Sequence, residues 1–172
     1  MKNISISTLV FGDFKKARNF CLDVISEVYG YEHYPDWAYD LDLLGKNQDV
    51  YASRKKGVFL AAKSNNSIVG TIGLRSLATS DELSSQLRVR YKNPSEIGLV
   101  NRLCVTSNLR GQGIGKNLFK NVVDKAKGYG YPILYLNAST TPNSVSFWEK
   151  MGFKKFFEEN DRYRTTHMEL QI

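Results

Sequence analysis

The sequence predicts an α+β fold, with a mixed, mostly antiparallel central sheet of about seven strands flanked by about four helices. Three observations carry this expectation. Residues 58–62 and 68–75 are apolar runs separated by Ser64-Asn65-Asn66-Ser67, which reads as a hairpin. Ile97–Val105 is a long, nearly continuous apolar run, the pattern of a strand covered on both faces. Residues 114–126 place Ile114, Leu118, Phe119, Val122, Val123 and Ala126 on one helical stripe, with the lysines off it.

The remaining elements follow in order. Residues 4–7 alternate and read as a first strand. Phe14–Tyr29 keeps Phe14, Ala17, Cys21, Val24, Ile25 and Val28 at helical spacing, and Gly30 is its stop. Residues 31–49 are aromatic and acidic, with a short helix expected at 41–44. Residues 76–94 form a polar connection, partly helical, that carries Arg88, Arg90 and Lys92. Residues 132–136 form a strand and 143–150 a short helix ended by Gly152. Residues 153–157 and 163–171 are the final strands, and His167 alternates onto the polar face of the last.

The chain has 172 residues, enough for one domain spanning 1–172. Its hydrophobic share of 42% and charged share of 24% are those of an ordinary globular protein. No stretch has the length of a membrane span, and the apolar residues near the N-terminus are interrupted by Ser5, Ser7, Gly12 and Asp13. The expected location is therefore cytoplasmic, with no membrane partner. Cys21 and Cys104 make neither a disulfide framework nor a metal cluster, and with two histidines no metal site is expected.

The net charge of +7 is unevenly spread. Residues 22–50 hold Asp23, Glu27, Glu32, Asp36, Asp40, Asp42 and Asp49 against Lys46 alone. Residues 110–130 hold Arg110, Lys116, Lys120, Lys125 and Lys127 against Asp124. The segregation suits either solvated faces or two poles, one for an anionic and one for a cationic ligand. No long basic run exists, so nucleic acid is not an expected partner.

Between the apolar strand and the amphipathic helix lies Arg110-Gly111-Gln112-Gly113-Ile114-Gly115-Lys116. Glycines let backbone N–H groups close on a ligand, and a helix starting there points unpaired N–H groups and its positive dipole end into the loop. This is a phosphate cradle by chemistry. It is not a Walker A loop: Asn117 stands where a Ser or Thr must ligate magnesium, and Arg110 where a glycine is required. It is not a dinucleotide loop either, because Lys116 or Leu118 falls at the third glycine.

Residues 103–115 resemble the acetyl-CoA-binding motif of the GNAT superfamily of N-acetyltransferases: an apolar strand ending in Val105, a short turn, then Arg110, Gly113 and Gly115 opening a helix. A second block, Asn143 to Phe153 with Phe147-Trp148-Glu149-Lys150-Met151-Gly152-Phe153, is similar to that family's Asn-x-x-Ala-x-x-Phe-Tyr-x-Lys-x-Gly-Phe segment, with different Asn spacing. Order and spacing match from about Val58 onward.

The resemblance implies a GNAT-like fold and direct attack of a primary amine on acetyl-CoA in a ternary complex, without a metal. The acceptor is a small amine, an amino acid or a peptide. The backbone from Arg110 through Gly111, Gln112, Gly113, Ile114 and Gly115 to Lys116 would hold the pyrophosphate. Leu103, Cys104 and Val105 would pair with the pantetheine arm, and an N–H there would stabilise the oxyanion. Asn143 would bond the pantetheine or cap a helix.

Trp148 replaces the family's frequent Tyr. Indole donates a hydrogen bond but is no general acid, so Trp148 is expected to pack beside CoA. Tyr135 and Tyr163 are substitutes for that acid, or the thiolate leaves unassisted. Glu96 is the candidate general base, against the alternative of a solvent-facing strand-end residue. Asp36, Trp37 and Asp40 form the candidate acceptor site, covering the cleft in the resembled fold; alternatively the acids cap a helix and Trp37 is core. Arg75, Arg88 and Arg90 are alternatives for a substrate carboxylate. Two other functions stay open, a transferase for another acyl-CoA and a silent acyl-CoA-binding module. Many family members dimerise, so a homodimer is a further expectation.

Overall fold

The computed structural model describes residues 3–30, 36–46, 49–80, 83–139, 144–160 and 164–172, with the side chains of residues 36 and 37 outside that set. In chain order the elements are β1 (Ile4–Thr8), α1 (Phe14–Tyr29), β2 (Val58–Ser64), β3 (Ser67–Ser76), α2 (Ser85–Arg90), β4 (Ile97–Val105), α3 (Ile114–Gly128), β5 (Ile133–Ser139), α4 (Ser144–Lys150), β6 (Lys154–Glu158) and β7 (Thr165–Gln171). The strands form one sheet in the order β1-β2-β3-β4-β5-β7-β6. Only β4 and β5 pair in parallel.

Local chemistry sets the boundaries. α1 stops where Gly30 turns left-handed at φ 68° and returns its N–H to the Ser26 carbonyl at 2.8 Å. Asn65 and Asn66 take φ of 49° and 65°, the two-residue turn whose twist suits a hairpin between β2 and β3. The acidic segment forms a 3-10 turn at Asp36–Leu43, longer than the short helix expected at 41–44. The 76–94 connection contains α2 as its helical part, with the Ser84 hydroxyl capping it at Leu87 N–H.

Alternation along the strands assigns the two faces. Val58, Leu60, Ala62, Ile72, Leu74 and Val100 point to α3, whose buried stripe is Ile114, Leu118, Phe119, Val122 and Ala126. Each of these side chains other than Ala62 and Ala126 contributes about 1.5–3 kcal/mol on burial. On the opposite face Phe59, Ala61 and Cys104 meet α1, and Ile97, Leu99 and Tyr135 meet Leu87 and Tyr91 at α2.

The expected polar face of β7 is not solvated. His167 is 3% exposed, and Glu169 is bonded by Arg90 at 2.6 and 2.9 Å and by the Tyr91 hydroxyl at 2.6 Å. A neighbouring element covers those polar groups, which the strand's own pattern does not reveal.

One departure from regular pairing matters for function. β4 is nine residues long, but it pairs with β5 only at Ile97↔Ile133, Gly98↔Leu134 and Leu99↔Tyr135. From Val100 to Val105 the edge of β4 that faced β5 has no strand partner among the described residues. The two strands part like a fork. A bulge accompanies the parting: between the pairs Gly73↔Asn101 and Thr71↔Cys104, Arg102 and Leu103 oppose Ile72 alone. Arg102 takes φ 54°, a left-handed conformation unusual for a residue with a Cβ.

Candidate active site

The glycine loop follows the open end of the fork. Gly111 and Gly113 have φ of 78° and 82°, and a Cβ at either would meet nothing within 4 Å. Glycine is there for the conformation, and the space above the backbone is clear. Gly113 starts α3 with no side-chain cap. The first turn therefore presents N–H groups without intrahelical partners to that space. The side chains brace the loop from outside it. Arg110 Nε donates to the Val105 carbonyl at 2.9 Å, its Nη2 lies 3.4 Å from Glu27 on α1, and Gln112 Nε2 donates to the Asn108 carbonyl at 3.3 Å. Lys116 is exposed. Ile114 is buried in the core, and Gly115 approaches Phe147 of α4.

Leu103, Cys104 and Val105 lie on the stretch of β4 that has no β5 partner. The Cys104 side chain is buried and points to α1. Cys21 sits beside it, 3.2 Å from the Thr71 hydroxyl. The neighbouring Cys21 thiol and the positive charge of Arg102 lower Cys104, whereas burial pushes Cys21 up. Both thiols are free.

The structure bears on three expectations about side chains. Asp40 is fully buried: it pairs with the Arg102 guanidinium, whose Nε donates to Oδ2 at 3.0 Å, and it accepts from the Tyr51 hydroxyl. Burial, then the Asp40 charge, push the Tyr51 phenol up and keep it protonated. Asp40 thus neutralises the bulge and has no free face for an amine. Trp148 is 7% exposed and packs edge-on against Phe119, Phe147 and Phe153, so its ring belongs to the core under α3. Glu96 is exposed, in the turn Pro94–Glu96 before β4. It precedes Leu99, the last β4 residue paired with β5, by three residues, about 10 Å of chain at ~3.3 Å each, and lies far from the glycine loop.

Asn143 and Tyr163, and the side chains of Asp36 and Trp37, lie outside the described residues.

Two groups that sequence reasoning left without a role, or named only as a substitute, meet at the root of the fork. His167 Nδ1 is 2.7 Å from the Tyr135 hydroxyl, and its Nε2 is 3.2 Å from Glu159 Oε1. Burial holds Tyr135 well above the usual phenol range. Only the antiparallel register, which sets His167 opposite Asn137 and two pairs from Tyr135, brings them together. At the other end of the fork the Tyr29 hydroxyl of α1 reaches Ser139 of β5 at 2.9 Å, spanning the gap on the α1 face.

Among the described residues no helix is long and apolar enough to cross a membrane, and no group of His, Cys, Asp and Glu could hold a metal ion.

A profile of the acetyltransferase (GNAT) family matches residues 18–153. Over 106 residues the chain is 31% identical to N-acetyltransferase 8B of Rattus norvegicus, which is 61% of this chain and 43% of that protein. The chain thus spans less than half the length of that relative. Among solved structures it is similar to an acetyltransferase of GNAT family from Staphylococcus aureus Mu50, with a TM-score of 0.74 and 20% identity over 98% of this chain and 99% of that one. It is also similar to the PaiA N-acetyltransferase of Thermoplasma acidophilum in complex with coenzyme A, with a TM-score of 0.71 and 19% identity over 99% of both chains.

Proposed function

The chain belongs to the acetyltransferase (GNAT) family, and on that premise we propose that it moves the acetyl group of acetyl-CoA to a primary amine. Residues 1–172 act in this reading as one catalytic domain. The observation that carries it is the fork: β4 loses its β5 partner after Leu99, just before a loop whose backbone is open at Gly111 and Gly113.

The residues fit the donor. Backbone N–H groups of residues 110–116 and the positive end of α3 would hold the pyrophosphate. The free edge of β4 between Val100 and Val105 would take the pantetheine arm as a peptide-like strand. Acetyl-CoA supplies an activated thioester. The acceptor's neutral amine attacks its carbonyl directly: the C–N bond forms, the C–S bond breaks, the amine's surplus proton goes to water and the thiolate takes one back. Arg102 and Asp40 hold the bulge in shape beside this cleft, and Tyr29 with Ser139 closes one side of its mouth. Asp40, buried against Arg102 and Tyr51, is not a free carboxylate for the amine, whereas Glu96 stays a candidate base that would act through water from the turn before β4.

Release of free thiol from acetyl-CoA over a panel of primary amines tests the reading, with the acetylated product identified by mass. Binding of acetyl-CoA without turnover on any amine would leave only a CoA-binding module. Failure of CoA to raise the melting temperature would overturn the donor site itself.

A further inference from the structure

Arg75 is a buried cation that pairs with no carboxylate of the described residues. It sits on β3, is 6% exposed, and pairs through its backbone with Leu99 at the root of the fork. Its Nη1 donates to the Thr79 carbonyl at 2.8 Å and to the Thr79 hydroxyl at 3.3 Å. Those are the guanidinium's hydrogen bonds to described residues. Among the described residues Nε has no partner and no carboxylate pairs with Arg75. The other arginines near this face are used differently. Arg102 is paired with Asp40 and Arg90 with Glu169, while Arg88 is exposed and bonds the Leu83 carbonyl. Burying a guanidinium without a counter-charge is costly, and the Nε–Nη2 edge, which makes no hydrogen bond to the described residues, is the one that grips a carboxylate with two parallel bonds.

Direction along β4 identifies which ligand can supply the anion. The loop for the pyrophosphate follows Val105, and Arg75 lies at Leu99, six residues or about 20 Å away at ~3.3 Å per residue. Phosphates held by the loop are out of reach. A pantetheine arm laid along β4 from the loop brings its acyl end toward Leu99 and Arg75, where the acceptor must sit. Arg75 projects to the α1 and α2 face, shared by Thr71, Gly73 and Leu99, where Tyr51 and Asn101 pack over Gly73. Resting on the acetyl-transfer reading, we propose that Arg75 binds the carboxylate of the acceptor, which is therefore an amino-acid-like primary amine.

The test uses the intact chain with acetyl-CoA and pairs of amines that differ only by the carboxylate: phenylalanine against phenethylamine, and leucine against isopentylamine. The expected result is a kcat/KM larger for the amino acid by about 100-fold or more, as sites built to bond a polar group discriminate against its absence. Arg75→Gln abolishes that preference and leaves the carboxylate-free amines and the KM for acetyl-CoA within about threefold. Arg75→Lys, which keeps the charge without the fork, restores part of it and serves where Arg75→Gln fails to fold. Phenylalanine, but not phenethylamine, also raises the melting temperature of the CoA-saturated wild-type protein. Equal turnover of both members of each pair, or a preference that survives both substitutions, overturns the assignment of Arg75 while acetyl transfer stands. Absence of turnover on every amine overturns both.

Discussion

Asp40 illustrates how one residue changes meaning between sequence and structure. In the sequence it is one of several acids in an aromatic segment, suited to a cationic amine. In the fold it has no exposed surface and closes a network with Arg102, Tyr51 and, through Tyr51, Asn101. Its acidity is spent on a guanidinium that occupies a left-handed bulge position. Asp40→Ala strands that guanidinium, and loss of one partner of a buried ion pair costs roughly 3–5 kcal/mol. Urea unfolding should show it as a lowered midpoint. A loss below about 1 kcal/mol with a raised KM for amines would return Asp40 to the acceptor site. Trp148 underwent a similar change. Its position in the second motif was legible, but its burial against Phe119 and Phe153 depends on α3 and the segment after α4 lying over one another. Arg75 was legible as an anion-binding candidate alongside Arg88 and Arg90, and only their surroundings separate the three.

At the scale of elements, the loop and α3 act as a unit. The glycines, the missing side-chain cap and the apolar stripe were all readable from spacing, because each is a local property of a few consecutive residues. Gly113→Ala forces a Cβ into φ 82° without a clash, so its cost is backbone strain of about 1–2 kcal/mol. It should also weaken CoA binding about tenfold by reshaping the N–H cradle, measured by calorimetric titration. Gly128→Ala is the control: Gly128 is helical with open space around it, so the change should stabilise the protein by about 0.5–1 kcal/mol and leave CoA affinity alone. Equal effects of the two substitutions on CoA would remove the loop from the donor site. The fork was not readable. Ile97–Val105 looks like one uninterrupted central strand, but its pairing with β5 stops after Leu99, just before a bulge against β3.

At the scale of the whole molecule, ion pairs between distant segments set the response to acid. Arg90 of α2 holds the Glu169 carboxyl of β7 below its ordinary value by hydrogen bonding, and Lys63 of β2 does the same for Asp13 ahead of α1. The unfolded chain then takes up protons before the folded one as pH falls. The stability these groups contribute is fully present above the unfolded values near 4, and is lost as pH drops through their lower folded values. Melting temperature should therefore be flat with respect to these groups from about pH 7 to 5 and fall below about 4.5. Glu169→Gln should lower the melting temperature at pH 7 and flatten that decline; an unchanged decline would show that Glu169 is not one of its causes. By itself the sequence determined the elements, the loop that cradles a phosphate and the family resemblance, because periodicity, glycine placement and spacing are local. The tertiary structure alone decided which acids and arginines are already paired, where β4 parts from β5, and that Arg75 is a buried charge with one guanidinium edge unbonded by the described residues. Those depend on segments far apart in sequence meeting across the sheet, and charge pairing is a property of proximity that composition does not contain.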